Sequence, residues 1–295
     1  MSASDGRFAP SPTGTLHLGN LRTALLAWLF ARSAGGRFLV RMEDLDAGRV
    51  KPGSADEQLA DLAALGIDWD GEVAFQSARL GLYSAALDEL RSERLLYECY
   101  CTRAEIRAAA SAPHGPLPEG AYPGTCLRLS ATELAAKRAS GRPPALRVRA
   151  DAAVVAFEDR LMGRYEGAVD DFVVRRNDGA PAYNLAVVVD DAAQDVGEVV
   201  RGSDLVDSTP RQLWLARALG LAEPRHAHVP LVLGPDGARL AKRHGAVTLR
   251  EVGAGAALAW MASSLGLPAA RTPSELLERF DPARLPSADS RFEGA

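Results

Sequence analysis

Two short stretches of the chain carry residue types suited to nucleotide chemistry. Residues 7–20 read Arg-Phe-Ala-Pro-Ser-Pro-Thr-Gly-Thr-Leu-His-Leu-Gly-Asn. A proline turn there delivers His17 and Gly19 to the mouth of a predicted helix, where free N–H groups and the positive end of the helix dipole suit a phosphate. A glycine at that point lets backbone come close to a ligand. The same residues would also make an ordinary helix cap. Residues 239–245 read Arg-Leu-Ala-Lys-Arg-His-Gly. Lys242 and Arg243 are adjacent cations that could neutralise a triphosphate as charge moves from the α-phosphate to the leaving pyrophosphate. Only three of the 34 basic residues are lysine, so Lys242 stands out from an arginine-rich background. A third group is Cys99, Cys101 and Cys126, three thiolates that would make most of a tetrahedral zinc site. By chemistry the fourth ligand stays open between Tyr122 and His114. Three unrelated buried thiols would give the same pattern.

The elements around these residues alternate between strand and helix. A brief strand at Arg7–Ala9 precedes a helix over 18–34, whose Leu21, Leu25, Trp28 and Leu29 share one face. Arg37–Met42 is a β-rich strand, and amphipathic helices follow over 54–65 and 78–96. Such alternation predicts a parallel sheet with crossover helices. From about residue 98 to 167 the pattern changes to cysteines, a Pro/Gly-rich stretch and short strand-like pieces, which predicts an insertion between two halves of the sheet. Strands at 172–175 and 198–201 resume the sheet. Ser208-Thr209-Pro210 starts a helix that Gly220 ends. Residues 229–233 are expected to form the last strand, before the lysine-containing loop and a largely helical, then proline-punctuated tail. The expected division is 1–97 and 168–222 for two halves of a nucleotide-binding fold, 98–167 for the insertion, and 223–295 for the loop and the short helical C-terminal region.

Composition excludes several classes of protein. With 47% hydrophobic residues the chain has enough apolar mass for a core. A net charge of −4 argues against coating nucleic acid by bulk attraction, while leaving room for a local basic groove. No apolar run approaches the roughly 20 residues needed to span a bilayer, and the N-terminus lacks a signal-peptide core. The expectation is a cytoplasmic protein with no membrane contact. Three cysteines imply no disulfide framework.

Taken together, the two nucleotide stretches resemble the paired signatures of class I aminoacyl-tRNA synthetases. His17-Leu18-Gly19-Asn20 is similar to the motif written His-Ile-Gly-His, with Asn20 in place of the second histidine. Arg239-Leu240-Ala241-Lys242-Arg243 is similar to the lysine loop Lys-Met-Ser-Lys-Ser, with Ala241 in place of serine. The flanks, with segments 182–191 and 199–205, look like the glutamyl branch of the glutamyl/glutaminyl group. The resemblance covers about residues 6–250 in order. It implies a Rossmann-like α/β catalytic domain, ATP carried with Mg²⁺, and glutamate as substrate. His17 and Lys242 would be catalytic, and His17, Gly19, Asn20, Leu240, Lys242 and Arg243 would contact ATP.

Glutamate has two carboxylates and one ammonium, so its pocket needs two cations and one anion. Arg7 and Arg201 supply planar forked donors for carboxylates. Glu43, at a strand end, can hold the ammonium, and Ser11 and Tyr183 can add hydroxyl contacts. These positions match the glutamate-binding residues of the family. The residues do not say which arginine takes which carboxylate. For the zinc site, the shortened relatives of glutamyl-tRNA synthetase imply Tyr122 as the fourth ligand beside Cys99, Cys101 and Cys126.

Only about fifty residues follow Gly245, too few for a helical anticodon-reading half. That pattern resembles the glutamyl-queuosine tRNA(Asp) synthetase family. It implies activation of glutamate without tRNA, then transfer to queuosine on the anticodon stem-loop of tRNA(Asp); the expected state of the chain is a monomer. Three alternatives remain: a shortened synthetase charging the acceptor end of tRNA(Glu), the same core with a small-molecule or protein acceptor, and a non-catalytic binding module.

Overall fold

The computed structural model describes residues 4–102, 104–106, 121–240 and 247–293. The strands are β1 (Gly6–Phe8), β2 (Phe38–Met42), β3 (Ala74–Phe75), β4 (Leu96–Cys99), β5 (Ala145–Val148), β6 (Val154–Asp159), β7 (Gly163–Ala168), β8 (Val173–Arg175), β9 (Glu198–Gly202), β10 (Arg225–Val229), β11 (Val232–Leu233) and β12 (Ser290–Arg291). β1, β2 and β3 pair in parallel. β9, β10 and β6 also pair in parallel, with β7 folded back antiparallel on β6. The two groups meet at β1 and β9, where the N–H groups of Gly197 and Glu198 donate to the Asp5 carbonyl at 2.9 and 3.0 Å. β4, β5 and β8 form a separate antiparallel sheet that carries the cysteines.

The Leu18–Ser33 helix lies where its periodicity predicts. Burial goes further than one face: every residue from Ala24 to Ala31 is buried. The helix has β1 and β9 on one side, and residues of the tail pack into the same core, among them Leu258, Met261, Leu265 and Leu276. A helix enclosed on two sides needs no polar face. Its one internal cation, the buried Arg22, is satisfied by the tail. Arg22 donates to Ser264 Oγ at 2.8 Å and to the Pro230 carbonyl at 2.8 Å.

The expected strand over 229–233 is misplaced. The ladder runs over Arg225–Val229 as β10, and only Val232–Leu233 continues, as β11 against β12. Pro230 offers no N–H to a ladder, which separates the two. Two histidines hid β10 in the sequence, yet His226 and His228 are buried at 4% and 1% exposure. Among the described residues no helix is long and apolar enough to cross a membrane.

Burial, with the positive charge of Arg201 adding to it, lowers the His226 pKa to about 3. A histidine buried neutral loses stability as acid protonates the unfolded chain first. Stability should therefore fall as pH drops from about 6.5 toward 3, by at most about 1.4 kcal/mol per pH unit from this residue. Urea unfolding of His226→Gln between pH 7 and 4 should show a shallower decline than wild type. Equal slopes would show that His226 is not buried neutral.

Candidate active site

Three strand ends converge on one cavity of about 140 Å³. β1 brings Arg7, the residue after β2 is Glu43, and β9 brings Arg201, an arrangement in keeping with ligand crevices at the edges of open α/β sheets. His17, Gly19 and Asn20 line the same cavity from the start of the long helix, and Tyr183 lines it from the start of the Tyr183–Ala193 helix. A second, wider cavity of about 820 Å³ adjoins it. Glu43 and Tyr183 line both, whereas Ser11 lines only the wider one. Leu240 lines neither: its side chain is core and its N–H donates to the Val232 carbonyl at 2.8 Å. Lys242 and Arg243, with the alternative metal ligand His114, lie outside the described residues.

His17 does cap the helix. Its Nδ1 accepts from the Asn20 N–H at 3.2 Å, and Asn20 Oδ1 accepts from the His17 N–H at 3.3 Å. A neutral ring that accepts at Nδ1 carries its proton on Nε2. The cap and the cavity wall are thus one feature. Gly19 leaves room for that cap, since a Cβ there would sit 3.0 Å from two atoms of the His17 ring and the ring would have to give way.

Behind the cavity the charges are buried and shared. Arg7 donates from Nε and Nη2 to the two oxygens of Asp191, at 3.2 Å each. The fully buried Arg41 places Nη1 2.8 Å from Asp191. Its Nε and Nη2 face Asp190 and Glu43 at 3.5 and 3.6 Å, too long for good hydrogen bonds. Asp190 also receives Arg79 at 2.6 Å, the Tyr83 hydroxyl at 2.7 Å and Gln76 at 2.8 Å. Burial pushes the Glu43 carboxyl up, against the pull of Arg41 and Arg7. Asp191 is held below the usual carboxylate range: burial raises it, and Arg7 and Arg41 outweigh that.

Arg201 differs from Arg7. Its Nε donates to His228 Nε2 at 3.1 Å, Nη1 to Gln212 Oε1 at 2.8 Å, and Nη2 to Thr209 Oγ1 at 2.7 Å and the Leu205 carbonyl at 3.3 Å. Every acceptor is neutral, and among the described residues Arg201 has no carboxylate partner. Burial accordingly lowers its pKa, with Arg7 adding to the effect. On the rim, Arg239 pairs with Asp204.

The sulfurs of Cys99, Cys101 and Cys126 lie within 4.8 Å of one another and could hold a metal ion. The Tyr122 hydroxyl is 3.5 Å from Cys99 Sγ and 3.6 Å from Cys101 Sγ, and Cys101 and Cys126 Sγ are 3.5 Å apart. Burial pushes the Cys101 thiol up to about 12. A divalent ion among the sulfurs would reverse that direction.

Residues 5–256 match the family described as tRNA synthetases class I (E and Q), catalytic domain. The chain belongs to this family. It is a ligase of the aminoacyl-tRNA synthetase type. A protein of Nocardia farcinica named Glutamyl-Q tRNA(Asp) synthetase is 63% identical over 95% of this chain and 90% of its own length. A protein of the same name from Symbiobacterium thermophilum is 51% identical over 97% and 95%. The solved glutamate tRNA ligase of Elizabethkingia meningosepticum superposes with a TM-score of 0.82 at 27% identity, covering 99% of this chain and 67% of that one. The family thus accounts for the parallel sheet.

Sequence reasoning passed over Arg41, Asp190, Asp191, Thr209, Gln212 and His228. Asp190 and Asp191 were in view as the end of the 182–191 segment, and adjacent carboxylates after five apolar residues are a signal of buried pairing. Removing Asp191 would leave Arg7 and Arg41 without their shared partner. Asp191→Ala should cost about 3–5 kcal/mol of folding stability, read as a lower urea midpoint at unchanged slope. A loss below about 1 kcal/mol would contradict the shared burial.

Proposed function

We propose that the protein activates L-glutamate with ATP, without RNA present, and then transfers the glutamyl group to queuosine in the anticodon loop of tRNA(Asp). The observation that carries the first half is a charge imbalance at the cavity. Among the described residues four guanidiniums (Arg7, Arg41, Arg79 and Arg201) meet three carboxylates (Glu43, Asp190 and Asp191), leaving one positive charge, and Arg201 is the cation without a carboxylate partner. Glutamate carries one net negative charge. One of its carboxylates fits Arg201, its ammonium fits Glu43, and Tyr183 stands at the opening. Arg7, already held by Asp191, adds a remaining Nη1 donor.

The α-carboxylate oxygen attacks the α-phosphorus of ATP, and pyrophosphate leaves. His17, Gly19 and Asn20 at the helix mouth suit the phosphates. Mg²⁺ would carry the triphosphate, as in the family. Lys242 and Arg243 are assigned to it on their sequence match alone. In the second step a ring hydroxyl of queuosine attacks the glutamyl carbonyl, forming an ester and releasing AMP. The names of the relatives support this acceptor over the 3′ end of tRNA(Glu). Those at 44–63% identity are named for tRNA(Asp), whereas the glutamate tRNA ligase is 27% identical. We place the reaction in the cytoplasm and assign it to a monomer.

Zinc would be held by Cys99, Cys101, Cys126 and Tyr122 and would staple the cysteine-bearing sheet, with no open position for chemistry. Ideal tetrahedral zinc has S–S edges of about 3.8 Å and S–O edges of about 3.5 Å. The 3.5–3.6 Å separations fit those edges.

Three measurements test these readings. Wild-type protein should catalyse glutamate-dependent ATP–pyrophosphate exchange with no tRNA, and Arg201→Ala should raise KM for glutamate far more than KM for ATP. Exchange without glutamate dependence would reject the substrate. Elemental analysis should find one zinc per chain, reduced in Tyr122→Phe; folded protein with no zinc would reject the metal. Labelled glutamate should attach to total tRNA from queuosine-containing cells and not to queuosine-free tRNA. Equal labelling, with the label released on the 3′-terminal adenosine, would establish acceptor-end charging instead.

A further inference from the structure

We propose that Asp159 and His228 form a positioning pair that fixes the plane of the Arg201 guanidinium and so sets how tightly and how selectively the cavity takes a substrate carboxylate. The proposal rests on the reading of Arg201 as the carboxylate-binding residue.

The parallel register of β9 and β10 makes Arg201 and His228 Cα partners, and the β6 end makes Asp159 the partner of His226. Three neighbouring strands therefore contribute one residue each to a chain of hydrogen bonds. Arg201 Nε–H donates to His228 Nε2 at 3.1 Å, so Nε2 must present a lone pair. The ring proton then belongs on Nδ1, which lies 2.6 Å from Asp159 Oδ2. Asp159 is in turn held by four contacts from three backbone N–H groups. Leu161 and Met162 donate to Oδ1 at 3.0 Å each, and His228 donates to the two oxygens at 3.2 and 3.1 Å. A carboxylate with that many donors stays ionised and selects the Nδ1–H tautomer.

Nothing else in the described surroundings does the same for Nε of Arg201. Gln212, Thr209 and the Leu205 carbonyl hold its two terminal nitrogens. A guanidinium pinned at Nε as well has its plane fixed, so the one N–H left on Nη1 points in a single direction, where an anionic carboxylate oxygen is a stronger acceptor than a neutral amide oxygen. The Thr209 hydroxyl lies 3.2 Å from the same Nε2 and links the acceptor on Nε to the one on Nη2. His226 stacks on His228 with ring centroids 6.0 Å apart, which holds the imidazole plane from its own strand.

The test is ATP–pyrophosphate exchange by the full chain with glutamate, and with glutamine as competitor. His228→Asn keeps an amide near the Nδ1 position and offers nothing at Nε2, whereas His228→Gln can place a side-chain carbonyl oxygen near Nε2. His228→Asn should raise KM for glutamate about ten- to hundredfold, as expected for a lost hydrogen bond to a charged group. Its kcat and KM for ATP should change by less than about twofold, a change small beside the tenfold lower bound just given. His228→Gln should recover most of the loss. Asp159→Asn, whose amide would face Nδ1 with N–H groups and favour the other tautomer, should reproduce the defect of His228→Asn and weaken discrimination against glutamine. If His228→Asn and His228→Gln behave alike, or if kcat and both KM values fall together, the pair only packs the core and the proposal fails. Wild-type protein without glutamate-dependent exchange brings down the activation reading and this proposal with it. Wild-type exchange with an unchanged glutamate KM in His228→Asn brings down the pair alone.

Discussion

The Asp191 carboxylate is the constraint on which the cavity depends. It receives two donors of Arg7 and one of Arg41, all of them largely buried. Burying two guanidiniums is tolerable only with an anion of fixed geometry between them, because an unpaired buried charge is strongly destabilising. That requirement extends outward. Arg41 also faces Asp190, and Asp190 needs Arg79, Tyr83 and Gln76 to satisfy its oxygens. The first strand, the second strand and the Tyr183–Ala193 helix are thereby locked together behind the site. Glu43 is left at the edge of the network, close enough to Arg41 to be oriented and still open to the cavity.

Arg201 stands opposite this network and is built on another principle. Its donors go to a histidine, an amide, a hydroxyl and a carbonyl, so its direction is fixed and its charge is not neutralised. A buried cation kept in that state gains most from an anionic ligand. Arg7 and Arg201 look interchangeable as residue types, and their partners give them different parts. One is a structural counter-ion with a donor to spare, the other a buried cation without a carboxylate partner among the described residues.

The cysteine-bearing sheet is tied to the rest by a cation over a ring. Arg147 of β5 lies 3.7 Å from the centroid of Tyr122 and donates to the Asp171 carbonyl at 2.6 Å. The Tyr122 N–H donates to Asp170, which also receives Arg211 from the Thr209–Ala218 helix. Tyr122 therefore touches the sulfur cluster with its hydroxyl and the sheet with its ring and backbone. On the opposite side, Arg22 links the long core helix to the tail.

The sequence by itself determined the alternation of strands and helices, the choice of Arg7, Glu43, Tyr183 and Arg201, which come to line one cavity, and the spacing of the cysteines. These signals are local: period, turn chemistry and rare residue types are carried by neighbours along the chain. Tertiary structure decided how those residues share charge. Asp191 is 184 residues from Arg7, Asp159 is 69 from His228, and Arg22 is 242 from Ser264. No periodicity reports such pairs. β10 was missed for the same reason, since two histidines in a strand read as polar until a buried carboxylate and a guanidinium supply their partners. Which arginine stays uncompensated could be decided only where the strands meet, because burial alone makes the choice of counter-ion matter.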